Sequence, residues 1–470
     1  MKERSFSYFL ENFMQSRNLS VSALAAQMKL SGNTSVLRIL NNKSTLKGIE
    51  IFCQKLKNAF ELTREEAKNL ERALSHEQLP ANVTRSRKLL STLFLENVPL
   101  FEKKIKCTLK NANECKSTQY LGDEVYRILN SDPGDEIVLY IETIDNENFV
   151  HALHDVIAEH PGRKIDIHHF FDDTDDSEAG ARGLYAMIKL SCFEGYNPYI
   201  INEGVYPSRR FYAKNITKDI ATLVYIYDEE HYTCVEMKLS QNEYCRHTEE
   251  EFRILSEVSV SAKEKFNVPI EDLASYLEKC RRLDTCISYE LKNTPCFMMI
   301  PMEIQESLYA DCNYLGFGAE HPIVKKMYSI ISAREKFIDE GNVEKYFVFT
   351  RKGLESFMET GKTSDYLPQM RPLTPEECRR TVMRNIDLPN TQVFILKEGY
   401  CMNTTECALF EGNIMSVFDP SYGYWDNFSE IGIRNKKMLR IMRDFIIEEL
   451  MAHCCYSTEE SREIILDIIK

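Results

Sequence analysis

Hydrophobic residues recur at helical spacing throughout the first 75 or so residues of the chain. Phe6, Phe9, Leu10 and Phe13 fall on one face of a predicted first helix, and the stretch from Ile49 to Phe60 repeats the pattern. A further helix is predicted to begin at Thr63, because Glu66 stands three residues later in a capping-box arrangement. The pattern therefore predicts a compact domain of five short helices.

The segment Leu19–Lys43 is the part of this domain with the clearest functional pattern. It reads as two short helices joined by a polar turn at Ser31-Gly32-Asn33. In the second helix, apolar residues alternate with the polar residues Thr34, Ser35 and Arg38. A short helix that is anchored on one face and polar on the other suits the reading of base edges in a major groove. We expect a DNA-binding helix-turn-helix here.

The run from Leu19 through LRILNNKS, with the amphipathic helix ending near Phe60, resembles the phage-repressor (Cro-like, XRE) helix-turn-helix family. The resemblance covers about residues 5–75 and implies a sequence-specific, commonly dimeric transcriptional regulator. Lys29 and Asn42 stand where that family usually has glycine, and the turn Ser31–Ser35 is one residue longer than usual. The DNA-binding residues that we predict are Ser31, Asn33, Thr34, Ser35, Arg38, Asn42 and Lys43, with Lys47 as a further phosphate contact.

Beyond residue 120 the pattern changes to strands that alternate with helices. The strand at 135–144, the helix NENFVHALHDVIAEH and the strand KIDIHHFF predict a parallel α/β unit. No glycine-rich loop follows the first strand, so a dinucleotide site is not indicated. A second strand-bearing region follows residue 343, and we treat the two regions as candidate diverged copies of one unit.

The predicted fold class is therefore multidomain, with an all-α helix-turn-helix domain followed by a large mixed α/β body. The predicted segments are a DNA-binding domain at 1–78, a helical linker at 79–116, an α/β domain at 117–246, a mainly helical segment at 247–342 and a C-terminal α/β domain at 343–470.

Charge is divided unevenly along the 470 residues. The formal net charge is −14, but residues 1–110 hold 19 basic and 10 acidic residues, and the remaining 360 hold 39 and 62. Residues 1–110 thus form a basic head, and the remaining residues form an acidic body. This division favours contact with phosphate through the head alone.

The 15 cysteines include no C-x-x-C pair, and we find neither a secretory signal nor an apolar run long enough to span a bilayer. These features favour a cytoplasmic protein without membrane partners.

The body offers two candidate sites of other kinds. Five of the ten histidines lie between residues 151 and 169, and His151, His154 and Asp155 are weak candidate ligands of a divalent metal. The segment at 417–431 holds Tyr422, Tyr424 and Trp425, which suit a small-ligand pocket or a partner surface but equally a loop folded onto the core. No complete catalytic motif is present, and no cofactor is predicted.

The sequence thus predicts a homodimeric transcriptional regulator that binds double-stranded DNA, with a body that senses a small-molecule or peptide effector. Two alternatives remain open. One is a metal- or nucleotide-dependent enzyme that the helical head localises, and the other is a protein-interaction module.

Overall fold

The computed structural model describes fifteen α-helices and fifteen strands. The described residues are 6–95 except 42, 106–107, 120–130, 134–159, 164–201 except 191, 192 and 194, 208–227, 231–265 except 263, 283, 286–295, 299–312, single positions between 322 and 336, 340–364 except 342, 370–418 except 403 and 404, and 431–470. The chain divides into two compact units, Met1–Arg85 and Ser86–Lys470.

The first unit is helical. Its helices are α1 (Phe6–Ser16), α2 (Val21–Gln27), α3 (Thr34–Leu40), α4 (Leu46–Ala59) and α5 (Arg64–Gln78), and the unit boundary falls inside α6 (Ala81–Phe94). The predicted apolar faces build one core, in which Phe6, Leu10, Leu24 and Val36 are buried together with Leu56. The capping box at the start of α5 is present, because Thr63 Oγ1 accepts the Glu66 N–H and the Glu66 carboxylate accepts the Thr63 N–H.

Arg17 fastens the end of α1 to the start of α5. Its guanidinium lies 5.0 Å from the centre of the Phe13 ring and 5.6 Å from that of Phe60. It donates to the Glu66 carboxylate at 2.6 Å and to the Glu61 carbonyl at 2.7 Å. This pairing lowers the pKa of Glu66 to about 2. Arg17 therefore stabilises the fold of the first unit.

The second unit contains two β-sheets and the helices that cover them. Its strands are β1 (Lys106–Cys107), β2 (Glu136–Glu142), β3 (Lys164–Asp172), β4 (Tyr196–Ile201), β5 (Arg210–Asn215), β6 (Ile220–Ile226), β7 (His231–Lys238), β8 (Ser259–Ser261), β9 (Glu264–Lys265), β10 (Ser288–Leu291), β11 (Lys345–Phe349), β12 (Thr391–Ile395), β13 (Glu406–Phe410), β14 (Ile414–Phe418) and β15 (Ile431–Ile433). Its helices are α7 (Leu121–Leu129), α8 (Glu147–Glu159), α9 (Ser177–Leu190), α10 (Glu243–Val258), α11 (Met302–Cys312), α12 (Arg351–Thr360), α13 (Pro375–Asp387), α14 (Lys436–Phe445), which continues as a π-helical segment (Ile446–Cys454), and α15 (Thr458–Ile468).

The first sheet has the strand order β1-β7-β6-β5-β2-β3-β4-β8. Strands β2, β3 and β4 are parallel, as the strand–helix–strand pattern predicts. On the other side of β2, the strands β5, β6 and β7 form an antiparallel meander. Strand β8 follows α10 and pairs antiparallel with the outer edge of β4.

The second sheet, in the order β12-β11-β10-β13-β14-β15-β9, repeats this plan. Strands β10, β11 and β12 are parallel, and β13, β14 and β15 form an antiparallel meander on the other side of β10. An antiparallel bridge between Leu396 and Cys455 takes the place that β8 has in the first sheet. The two strand-bearing regions therefore share one topology, although their sequences show no clear identity.

The two sheets share one hydrophobic core. Leu139 and Ile141 from β2 belong to the same buried cluster as Leu291 from β10 and Val417 from β14. Helices α9 and α14 pack closely in this cluster, and a Cβ atom built on Gly183 would lie 3.0 Å from Met438 Cε. Hydrogen bonds and ion pairs join the loop after β3 to the start of α14, with Asp173 contacting both Asn435 and Lys437.

The structure differs from the sequence-based organisation at three places. Strand β10 lies inside the segment 247–342, which the pattern predicts to be mainly helical, because its four residues are too few to show alternation. Strands β1 and β8 extend the first sheet beyond the predicted limits 117–246. The compact first unit ends at Arg85 rather than residue 78, because α5 reaches Gln78 and α6 follows closely.

Candidate nucleic-acid interface

The α2–turn–α3 element is held to the rest of the first unit by buried apolar residues. Leu24, Ala25 and Met28 anchor α2, and Val36 and Ile39 anchor α3. Ser20 caps α2, its Oγ accepting the Ala23 N–H at 3.2 Å. The short helix α3 is therefore fixed on one side and leaves its opposite side exposed.

Lys29 begins the turn in the left-handed backbone region with φ of +52°. Its N–H donates to the Ala26 carbonyl at 3.1 Å, and the Leu30 N–H donates to the Ala25 carbonyl at 2.9 Å. These bonds end α2 and direct the chain toward α3. A lysine here keeps the turn geometry that glycine adopts more readily.

Six of the seven predicted DNA-binding residues are exposed on this element. They are Ser31, Asn33, Thr34, Ser35, Arg38 and Lys43, whereas Asn42 lies outside the described residues. The Asn33 amide donates to Ser22 Oγ at 3.2 Å, which orients its side chain toward α2. The Asn41 amide donates to the Leu37 carbonyl at 2.7 Å and so closes the end of α3.

The sequence segment that contains this element carries charge of one sign. Residues 12–49 contain five basic residues and no aspartate or glutamate. Arg17 is engaged with Glu66, but Lys29, Arg38, Lys43 and Lys47 are all exposed. Exposed cations without a neighbouring carboxylate in the sequence suit contact with the phosphates of a duplex.

Sequence reasoning did not single out one exposed residue of α3, Leu37. Its side chain is 45% exposed, although its neighbours Val36 and Ile39 are buried. The apolar pattern alone groups Leu37 with these anchors. A helical projection separates it from them, because Leu37 lies three residues after Thr34 and four before Asn41, on the exposed side of α3.

The four described histidines of the 151–169 region have separate surroundings, and His160 lies outside the described residues. His151 Nε2 lies 2.8 Å from the Tyr185 hydroxyl, and His154 Nδ1 lies 3.2 Å from Asp155 Oδ1. His168 stacks on Tyr140 with ring centres 4.9 Å apart, and His169 is fully buried. In the described part of the chain, no group of three or more His, Cys, Asp or Glu residues is arranged to hold a metal ion.

Acidic residues also meet arginines at the carboxyl end of β2 and in the loop that follows it. Glu142 accepts from Arg210 Nε and from the Ser208 N–H, both at 2.7 Å. Asp145 accepts from Arg182 Nε at 3.1 Å, and its burial raises its pKa although Arg182 opposes the shift. These pairs hold the loops at this edge of the first sheet.

The other candidate ligand-binding residues, Tyr422, Tyr424 and Trp425, lie outside the described residues.

Among the described residues, no helix combines the length and the apolar composition that crossing a membrane requires.

No known protein-family profile and no curated protein matches the chain. Among solved structures, a phosphatidylserine synthase from Haemophilus influenzae Rd KW20 aligns over 82% of this chain and 96% of that one, with 9% identity and a TM-score of 0.25. A polyphosphate kinase from Porphyromonas gingivalis aligns over 67% and 46%, with 14% identity and a TM-score of 0.20. Structural similarities with TM-scores this low do not indicate the function of this chain.

Proposed function

We propose that the protein is a sequence-specific DNA-binding transcriptional regulator of the cytoplasm, which reads the major groove with α3. The observation that carries this proposal is the exposed face of α3 within a segment of 38 residues that has five basic and no acidic residues. A short, anchored helix with exposed donors is the kind of element that enters a major groove. The acidic body is repelled by phosphate, so the head alone makes the contact.

In this proposal Arg38 is the principal base-reading residue. Arginine pairs bidentately with the O6 and N7 atoms of guanine, and Arg38 is exposed near the middle of α3. Thr34, Ser35 and Lys43 contact phosphates on either side, and Ser31 does the same from the turn. The amide of Asn33, which already donates to Ser22, keeps its carbonyl oxygen available to a base or to water.

The body supplies dimerisation and control. A homodimer presents two heads to half-sites about one helical turn apart, and an effector that prefers one arrangement of the body changes the affinity for the operator. The effector is a small molecule or a peptide in this scheme.

The first test is selection of bound sequences from a random duplex pool, followed by titration of the selected site. Arg38→Ala should weaken specific binding by about 1–3 kcal/mol, because one bidentate base contact is lost, and should leave the thermal stability nearly unchanged. A mobility-shift titration measures the affinity.

The matched control is Arg246→Ala, which removes an equally charged and exposed residue from the body. It should leave the affinity unchanged. Equal affinities for the parent and the Arg38→Ala protein would remove Arg38 from the proposed interface. A pool with no enriched sequence would contradict the proposed function itself.

A further inference from the structure

Leu37 is a large aliphatic side chain on the face of α3 that is otherwise polar. It is 45% exposed, whereas Val36 and Ile39 beside it are 0% and 3% exposed. Leu37 therefore contributes less than its neighbours to the core of the first unit, and a polar residue at this position would cost the fold little.

The residues around Leu37 indicate what kind of surface covers it. Thr34 lies one helical turn before Leu37 on α3, Arg38 follows Leu37 directly, and both are exposed. The surrounding segment, residues 12–49, carries positive charge only. This charge complements a nucleic acid, and it disfavours a basic or neutral apolar partner that would have to bury these cations.

We infer that Leu37 contacts the C5-methyl group of a thymine, and that the operator half-site read by α3 therefore contains an A·T pair at the position that Leu37 faces. The inference rests on the proposed function and adds a base preference to it. Thymine is the only DNA base with an apolar group in the major groove, and aliphatic side chains recognise it by burying that methyl. Leu37 and Arg38 are both exposed on the same short helix, so both side chains are available to bases of one half-site.

Replacement of single thymines by deoxyuridine in the selected duplex tests this contact. The replacement removes the methyl group and keeps every hydrogen-bonding atom of the base pair. At one thymine, it should weaken binding of the parent protein about fourfold, which corresponds to the burial of one methyl-sized group. The same replacement should have no effect on binding of the Leu37→Ala protein, because its partner is gone.

Ile51→Ala is the matched control. Ile51 is 53% exposed on α4, so this variant also shortens an exposed aliphatic side chain of the first unit. It should keep the full effect of the thymine replacement. Thermal unfolding of both variants checks that the first unit remains folded. Leu37→Met serves as a further variant that retains an apolar side chain. Its affinity for the duplex should still fall when the thymine is replaced by deoxyuridine.

The outcomes separate this inference from the proposed function. The thymine contact is overturned if no thymine replacement in the enriched site weakens binding. It is also overturned if a replacement lowers the affinity of the parent and of the Leu37→Ala protein equally. Either result leaves DNA binding intact. An enriched site without thymine also overturns the contact and leaves DNA binding intact. Absence of any enriched site contradicts the proposed function, on which the inference depends.

Discussion

At the scale of single residues, His169 shows how burial decides the role of a titratable group. Its side chain is 0% exposed, with Nε2 2.9 Å from the Ile144 carbonyl and Nδ1 3.2 Å from the Tyr196 hydroxyl. A carbonyl accepts only, so Nε2 carries the proton and Nδ1 accepts from the tyrosine. Burial lowers the pKa of His169 to about 3, and the imidazole stays neutral at physiological pH.

This pKa predicts how the stability of the body depends on pH. The unfolded state binds a proton near pH 6.5, whereas the folded state does so only near pH 3. The free energy of unfolding should therefore fall by up to about 1.4 kcal/mol per pH unit as the pH drops below 6.5, as far as His169 contributes. Urea denaturation between pH 7 and pH 5 measures this slope.

His169→Gln removes the titrating group and should flatten the slope, although it also lowers the stability at pH 7. The control is His247→Gln, at an exposed position of α10, which should keep the slope of the parent. A slope unchanged by His169→Gln would contradict the assigned role.

The burial of His169 could be predicted from the sequence, but its partners could not. Ile165 and Ile167 alternate with polar residues in β3, and His169 continues their side of the strand. The metal hypothesis grouped His151, His154 and Asp155 by their closeness in sequence. Their actual partners include Tyr185, which lies 34 residues from His151, and local spacing contains no information on such contacts.

At the scale of secondary-structure elements, the turn between α2 and α3 begins at a residue with an unfavourable backbone conformation. It leads into α3, the helix that we propose reads DNA. The left-handed conformation of Lys29 is unfavourable for a residue with a Cβ atom. In the sequence, Lys29 is a departure from the repressor-family pattern that the segment resembles, and in the structure its φ is +52°. The side chain of Lys29 is exposed, so its charge remains available at the surface.

Lys29→Gly should therefore stabilise the first unit by about 0.5–1 kcal/mol, since relief of the left-handed strain exceeds the entropy that glycine adds to the unfolded chain. Hydrogen exchange of amides in α2 and α3 of the full chain measures this gain.

Lys55→Gly is the matched control for this turn, because Lys55 is an exposed residue inside α4. The same substitution should there destabilise the unit by about 1 kcal/mol. Faster exchange in α2 and α3 after Lys29→Gly would mean that the lysine side chain stabilises the turn by more than its backbone strain costs.

Elements with strong periodicity were predictable, and short central strands were not. The helices of the first unit and the strands β2, β3 and β11 follow from apolar spacing in the sequence. Strand β10 comprises only Ser288–Leu291, and all four residues are buried, including Glu290. Buried polar residues hide the alternation by which an amphipathic strand is recognised.

At the scale of the whole molecule, the second unit consists of two similarly connected sheets that share a large hydrophobic cluster. Residues of both sheets contribute to one hydrophobic cluster, to which α9 and α14 also belong. The first unit has a cluster of its own. We therefore expect the two sheets to unfold together.

Gly353→Ala tests this coupling, because a Cβ at Gly353 would lie 1.7 Å from the Asn293 backbone carbonyl oxygen next to β10. The clash should destabilise the body by about 1–3 kcal/mol. If the sheets are coupled, hydrogen exchange should accelerate in β2 and β3 of the first sheet as well as in β10 and β11.

Gly122→Ala in α7 is the control, since the added Cβ would meet Ala152 Cβ and the Asn148 carbonyl at an ordinary 3.5 Å. It should leave exchange unchanged or slow it, because alanine favours a helix. Acceleration confined to β10–β13 after Gly353→Ala would show that the two sheets open independently.

The parallel arrangement around β2 and β10 also has a kinetic consequence. Strand β10 pairs with β11, which lies more than fifty residues later, and with β13, which lies more than a hundred residues later. Its sheet therefore cannot form until nearly the whole chain is available. Such non-local pairings fold slowly, whereas contacts within a small helical unit form rapidly. During synthesis the first unit leaves the ribosome before the body, and domains fold in that order. A nascent chain therefore carries a folded head for the whole interval in which its body is still incomplete.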